Sequence, residues 1–227
     1  MRFGLTLLLL LMSIPARADC VILLHGLART ASSMETMEEA LTAQGLKVIN
    51  VDYPSTEFNV QALAPMAIEP ALELCAARIP VHFVTHSLGG ILVRQYLSQT
   101  SIPDLGRVVM LGPPNKGSEV VDKLGEMPGF YQLNGPAGMQ LGTGPDSVPN
   151  SLGTADFDLG IIAGTSSINW MLSSLIPGDD DGKVSVQRAR LNGMRGFITL
   201  PVTHTFMMKN DAVIQQVTHY LQTGTFE

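Results

Sequence analysis

An apolar run, Val81-His82-Phe83-Val84, leads into Thr85-His86-Ser87-Leu88-Gly89-Gly90, and a helical pattern, Ile91-Leu92-Val93-Arg94-Gln95-Tyr96-Leu97, follows at once. Strand, then x-x-Ser-x-Gly, then helix is the context of a nucleophile elbow. There a sharp turn holds the serine in strained backbone geometry and lifts its hydroxyl clear of a sheet. Strand and helix can approach each other only if small residues flank the serine, and Gly89 and Gly90 meet that need. Thr85 stands where such turns usually carry glycine. A plain strand-loop-helix with a buried serine would use the same residues, so the rest of the chain has to decide.

Apolar runs alternate with helical periods along the chain, which argues for a parallel sheet. Strands are expected near 20–25, 47–51, 81–86, 107–111, 159–164 and 196–202. Between the first two, Ser32-x-x-Glu35 has the form of a capping box, and Met34, Met37 and Leu41 then fall on one helical face. On the last helix Val213, Ile214, Val217 and Leu221 make a core stripe. Residues 112–157 break the alternation: they are rich in Gly and Pro and lack a long period. An insertion of this length in a compact domain is usually functional or mobile. Ile168, Trp170, Met171, Leu172, Leu175 and Ile176 form a second apolar stretch, expected either to line an acyl pocket or to pack in the core.

His25-Gly26 ends the run Val21-Ile22-Leu23-Leu24. With Ser87, this pattern resembles the α/β-hydrolase superfamily and, within it, the small bacterial (class 2-like) lipases and esterases, over Cys20 to Leu221. The resemblance implies a compact α/β fold: about six mostly parallel strands, helices on both faces, and the 112–157 insertion over the active site as a lid or pocket wall. It also implies that the amides of Leu27, after His-Gly, and Leu88, after the serine, form an oxyanion hole. One such donor is worth roughly 3 kcal/mol to the transition state. Gly112-Pro113-Pro114-Asn115-Lys116-Gly117-Ser118 is similar to the Gly-Thr-Pro-Asn-x-Gly-Ser stretch of bacterial lipases, with Pro113 in place of Thr; the same residues also suit a simple turn.

A serine hydroxyl is a poor nucleophile without a base and an acid to orient that base. The family's chain order is Ser, then Asp or Glu, then His. Of five histidines, His25 and His86 belong to the motifs above, His82 sits mid-strand as a satisfied core residue, and His219 lies solvent-facing on the last helix. His204 follows the last strand, where the family keeps its catalytic histidine. The acid should follow the strand 159–164. Asp-Gly-x-Val, often found there in the family, assigns the role to Asp181, with Asp179 and Asp180 as alternatives. Three adjacent carboxylates also suit a solvated turn or a calcium site, but the alternating spacing of an EF-hand is missing. No metal and no cofactor is expected.

The first 18 residues read as a signal peptide: a basic start, an apolar core from Leu5 to Ile14, and Ala16-Arg17-Ala18 for cleavage. Residues 19–227 then form a single hydrolase domain in an exported protein, periplasmic or secreted. Two cysteines in such a chain suggest a bridge. In this fold the Cys20 strand and the Val81 strand are neighbours, so Cys20 and Cys75 would meet at the edge away from the active site. The net charge of −6 falls by two more once Arg2 and Arg17 are removed. With no basic stretch, nucleic acid is excluded as a partner. The resemblance implies an ester or lipid small molecule as substrate, and it leaves room for transient contact with a membrane or lipid surface. The expectation is a serine carboxylic-ester hydrolase acting on apolar acyl esters through an acyl-enzyme, with efficiency rising from acetyl to at least butyryl or hexanoyl. A thioesterase or acyltransferase would use the same triad; a non-catalytic binding protein of the same fold would not need it.

Overall fold

Runs of consecutive apolar residues, as opposed to alternating ones, belong to strands covered on both faces. The computed structural model describes residues 19–75 and 79–227, and the expected signal peptide lies outside them. Its strands β1 (Cys20–Leu24), β2 (Lys47–Val51), β3 (Val81–His86), β4 (Leu105–Leu111), β5 (Leu159–Gly164) and β6 (Gly196–Leu200) form one sheet in the order β2-β1-β3-β4-β5-β6. All five pairings are parallel. The fourth strand starts two residues earlier than expected, and the first and last stop one and two residues short.

The period of two divides each central strand between two cores. From β1, Cys20, Ile22 and Leu24 face one cluster, which includes Ile68 of α2 (Val60–Cys75) and Ile91 of α3 (Leu88–Leu97). Val21 and Leu23 face the other, with Met37 and Leu41 of α1 (Glu35–Ala43). Helix α9 (Asp211–Thr223) adds Val213 and Val217 to that second face, while Ile214 of the expected stripe is only half-buried. The expected capping box does not form. Residues Ala31–Met34 make a 3-10 turn, α1 starts at Glu35 without a side-chain cap, and Ser32 Oγ bonds to Thr30 Oγ1 at 2.9 Å. Met34, Met37 and Leu41 are nonetheless fully buried, because tertiary packing on the sheet sets that helix more than its first turn does.

Cys20 and Cys75 are joined by a disulfide with Cα atoms 5.7 Å apart. The bridge ties the amino end of β1 to the end of α2, at the opposite edge of the sheet from the Ser87 turn.

The long insertion is not structureless. It holds three short helices, α4 (Glu119–Leu124), α5 (Phe130–Met139) and α6 (Val148–Ser151), too brief and too broken by Gly and Pro to leave a period in the sequence. Two anchors hold it. Gly135 breaks α5 with φ 62° and ψ −170°, and a Cβ there would sit 1.7 Å from the Thr56 carbonyl oxygen, so only glycine lets α5 dock on the β2–α2 loop. Arg94, buried in α3, donates to the carbonyls of Asn115 (3.0 Å), Pro149 (2.9 Å) and Gly153 (2.9 Å). Burial without a carboxylate partner lowers its pKa to about 10. Two short helices follow β5: α7 (Trp170–Ser173) and α8 (Val186–Ala189). Of the second apolar stretch, only Ile176 is buried; Ile168, Trp170 and Met171 are 68%, 78% and 62% exposed and line neither the core nor the cavity at Ser87. No helix among the described residues is long and apolar enough to cross a membrane.

Candidate active site

Ser87 sits between the last residue of β3 and the first of α3 with φ 52° and ψ −116°. Such a conformation costs a non-glycine residue of order 1–3 kcal/mol and persists only where its surroundings force it. The surroundings do: Ser87 N donates to the Leu111 carbonyl at 2.9 Å, and a Cβ on Gly89 would lie 2.6 Å from the Leu24 carbonyl oxygen, so α3 starts almost in contact with β1. Thr85, in the usual glycine position, is fully buried with its Oγ1 unpartnered.

His204 follows β6 and is 3% exposed. Its Nδ1 donates to Asp181 Oδ2 at 2.7 Å, and its backbone N–H donates to the Asp181 carbonyl at 2.9 Å. The other carboxylate oxygen of Asp181 accepts the amides of Lys183 (3.0 Å) and Val184 (2.9 Å). With the proton held on Nδ1 by an acceptor-only carboxylate, Nε2 is left with its lone pair. Ser87 and His204 line one small cavity, of about 80 Å³. They share no hydrogen bond.

The three adjacent aspartates diverge. Asp180 Oδ1 accepts Ser173 Oγ and the Gly182 amide, both at 2.7 Å, and so braces the turn. Asp179 is exposed. Only Asp181 meets a histidine. Among the described residues no group of three His, Cys, Asp or Glu is arranged to hold a metal ion.

The loop after β1 is built from its own histidine. The buried His25 ring donates from Nδ1 to the Gly26 carbonyl at 2.9 Å and accepts the Tyr53 amide on Nε2 at 3.3 Å. Tyr53 stacks on it at 4.0 Å and its hydroxyl donates to the His25 carbonyl at 2.5 Å. Desolvation lowers the His25 pKa and keeps the ring neutral, as this bonding needs. The Gly26 carbonyl and the Leu27 N–H belong to one planar peptide, so fixing the first aims the second. Ala28, at φ 53°, donates its amide to Ser55 Oγ. Neither the Leu27 amide nor the Leu88 amide has an acceptor among the described residues.

His86 carries a task that the sequence did not reveal. Its Nε2 donates to the His204 carbonyl at 2.9 Å, and the two rings lie 4.7 Å apart. Desolvation first, and the neighbouring His204 second, push its pKa well below the usual 6.5. Its position beside the serine was a visible signal; its bond 118 residues away was not. His82 is satisfied as expected, accepting the Arg107 amide at 2.8 Å. His219 is partly exposed and pairs with Glu227 at 3.3 Å.

A model described as "Alpha/beta hydrolase family" matches residues 21–221 of the chain. No curated protein matches it. Among solved structures it is similar to the mature form of the lipase BlEst2 of Bacillus licheniformis (20% identity, 91% of this chain and 93% of that one, TM-score 0.71). It is also similar to the phospholipase PlaB of Legionella pneumophila in complex with thio-NAD (17% identity, 89% of this chain, 56% of that one, TM-score 0.68). A pyrethroid hydrolase of Sphingobium faniae JZ-2 shares the fold at 13% identity over 91% of this chain and 98% of that one, with a TM-score of 0.57. With the six-stranded parallel sheet and the strained turn at Ser87, the match across nearly all of the described chain leads to one conclusion: the protein belongs to the alpha/beta hydrolase family.

Proposed function

We propose that the protein is an exported serine ester hydrolase with Ser87 as nucleophile, His204 as base and Asp181 as the orienting acid. The observation that carries this reading is the 2.7 Å bond from His204 Nδ1 to Asp181 Oδ2, behind a cavity that also holds the strained Ser87. Ser87 Oγ attacks the ester carbonyl while His204 Nε2 takes its proton. Asp181 stabilises the imidazolium so formed, and the negative charge on the carbonyl oxygen meets the amides of Leu27 and Leu88. Collapse of the tetrahedral intermediate expels the alcohol, which takes the proton from His204. Water, activated by the same histidine, then cleaves the acyl-enzyme.

Cavity size bears on the acyl group. The cavity is small, about 80 Å³, well below the roughly 300–1,000 Å³ of sites that take drug-sized ligands. Leu27, Val121, Phe130 and Leu141 line it, and they reward buried methylenes by about 0.8 kcal/mol each until the space is full. Short acyl chains, with an optimum near propionyl or butyryl, fit better than the hexanoyl end of the range expected from sequence. The disulfide supports export, since such bridges persist in oxidising compartments.

A fluorophosphonate probe should label the protein on Ser87 and nowhere else. Ser87→Ala should fold normally, resist labelling and lose p-nitrophenyl butyrate hydrolysis by several orders of magnitude. Near-normal turnover in that variant ends the serine-hydrolase reading.

A further inference from the structure

The cavity at Ser87 is small, and beside it lies a far larger space of different chemistry. A groove of about 780 Å³ runs between the segments 28–33, 52–57 and 205–209, the loops that follow β1, β2 and β6. Its size is that of small-molecule sites in general. Arg29 lines both the groove and the cavity, and Thr205, directly after His204, lines the groove. An ester's acyl and alcohol parts diverge from the carbonyl carbon. With the acyl part in the small cavity, the alcohol part has the groove to occupy.

Most side chains of the groove wall are polar, with Leu133 and Phe206 as its exposed large apolar ones. The wall presents two cations, Arg29 and Lys209, and two carboxylates, Asp52 and Glu57. These balance, so neither an anionic nor a cationic group is favoured overall. Arg29, Lys209 and Glu57 form no ion pair among the described residues. The Thr56 and Thr205 hydroxyls, also on this wall, donate to no group among them. An apolar alcohol would strip water from these groups and return no hydrogen bonds. An uncharged molecule with many hydroxyls satisfies donors and acceptors alike. Phe206, 55% exposed on the same wall, adds a flat apolar face suited to the C–H face of a sugar ring.

We infer that the substrate is a short-chain acyl ester of a polyhydroxylated, sugar-sized alcohol. This inference rests on the ester-hydrolase reading above and names the alcohol that reading leaves open.

Glucose 6-butyrate and hexyl butyrate test it, because both are butyryl esters of six-carbon primary alcohols and both give the same butyryl-enzyme. The expected result is a kcat/KM at least about tenfold higher for the glucose ester. The double variant Glu57→Ala/Lys209→Ala should raise KM for that ester about five- to tenfold, and should leave KM for hexyl butyrate no higher than in the wild-type protein, because the hexyl chain makes no hydrogen bond to either side chain. Equal or better turnover of hexyl butyrate overturns the inference while leaving the ester-hydrolase reading intact. So does a loss that the variant shows equally on both esters. If neither ester nor p-nitrophenyl butyrate is cleaved by the wild-type protein, the ester-hydrolase reading fails and takes the inference with it.

Discussion

Replacing Asp181 by Asn changes one atom and should nearly abolish turnover, for a reason written in the turn around it. The carboxylate has three donors to satisfy: the Lys183 and Val184 amides on Oδ1 and His204 Nδ1 on Oδ2. An asparagine can face them in two ways. If its oxygen keeps the two amides, its NH2 points at His204 Nδ1. If its oxygen faces His204, its NH2 points at two amides, Val184 buried and Lys183 partly buried, leaving the buried one unpaired at about 1–3 kcal/mol and the other at less. Moving the imidazole proton from Nδ1 to Nε2 costs less than that, so the first orientation wins. The ring then carries its proton on Nε2 and has no lone pair for the Ser87 proton. A tautomer trapped this way lowers kcat by about 10⁴, or about 5.5 kcal/mol of transition-state stabilisation. Asp180→Asn keeps an oxygen for Ser173 and Gly182, and exposed Asp179→Asn disturbs nothing, so both should stay within about threefold of wild type. The assay is steady-state hydrolysis of p-nitrophenyl butyrate by the three variants, with thermal melts to verify folding. If Asp181→Asn keeps more than about a tenth of the activity, or if Asp180→Asn loses as much, the orientation argument is wrong.

Two further outcomes concern stability. Cys75→Ser opens a bridge spanning 55 residues, worth about 4 kcal/mol in the chain-entropy model; urea titration of both proteins checks it, and a difference below about 1 kcal/mol refutes it. His25, His82 and His86 are buried, and desolvation holds each below its ordinary pKa of 6.5. The unfolded chain therefore binds more protons as the pH falls through 6.5. Stability should be complete above that pH and decline below it, by up to about 1.4 kcal/mol per pH unit for each histidine that stays neutral. The urea midpoint should fall between pH 7 and 5.5, and a flat profile contradicts this.

The local parts of this molecule are legible in its residues. Apolar runs mark the central strands, and the half-buried edge strands β2 and β6 show as shorter, less regular runs; all six were recoverable because that signal lies within five to seven neighbours. The Ser87 turn is equally local: its strain comes from one serine between a strand and a helix, with Gly89 allowing contact with β1. Even the proposed base and acid, His204 and Asp181, could be approached, since each follows a recognisable strand.

What the chain alone left open depends on contacts between distant segments. Asp179, Asp180 and Asp181 are alike in sequence. They differ because successive residues in a tight turn point different ways, and only one of those directions meets a histidine 23 residues on. The capping pattern at Ser32 failed because docking on the sheet, and not the first turn, decided where α1 begins. Trp170 and its neighbours looked like core or pocket, yet hydrophobicity alone cannot say whether a partner surface exists, and none among the described residues covers them. The insertion's helices, the Arg94 clamp on its carbonyls, the His86 bond to His204 and the balance of charge in the groove all arise from residues far apart in the chain. Local propensity carries no information about such pairings, because their energies exist only once the sheet has brought the loops together.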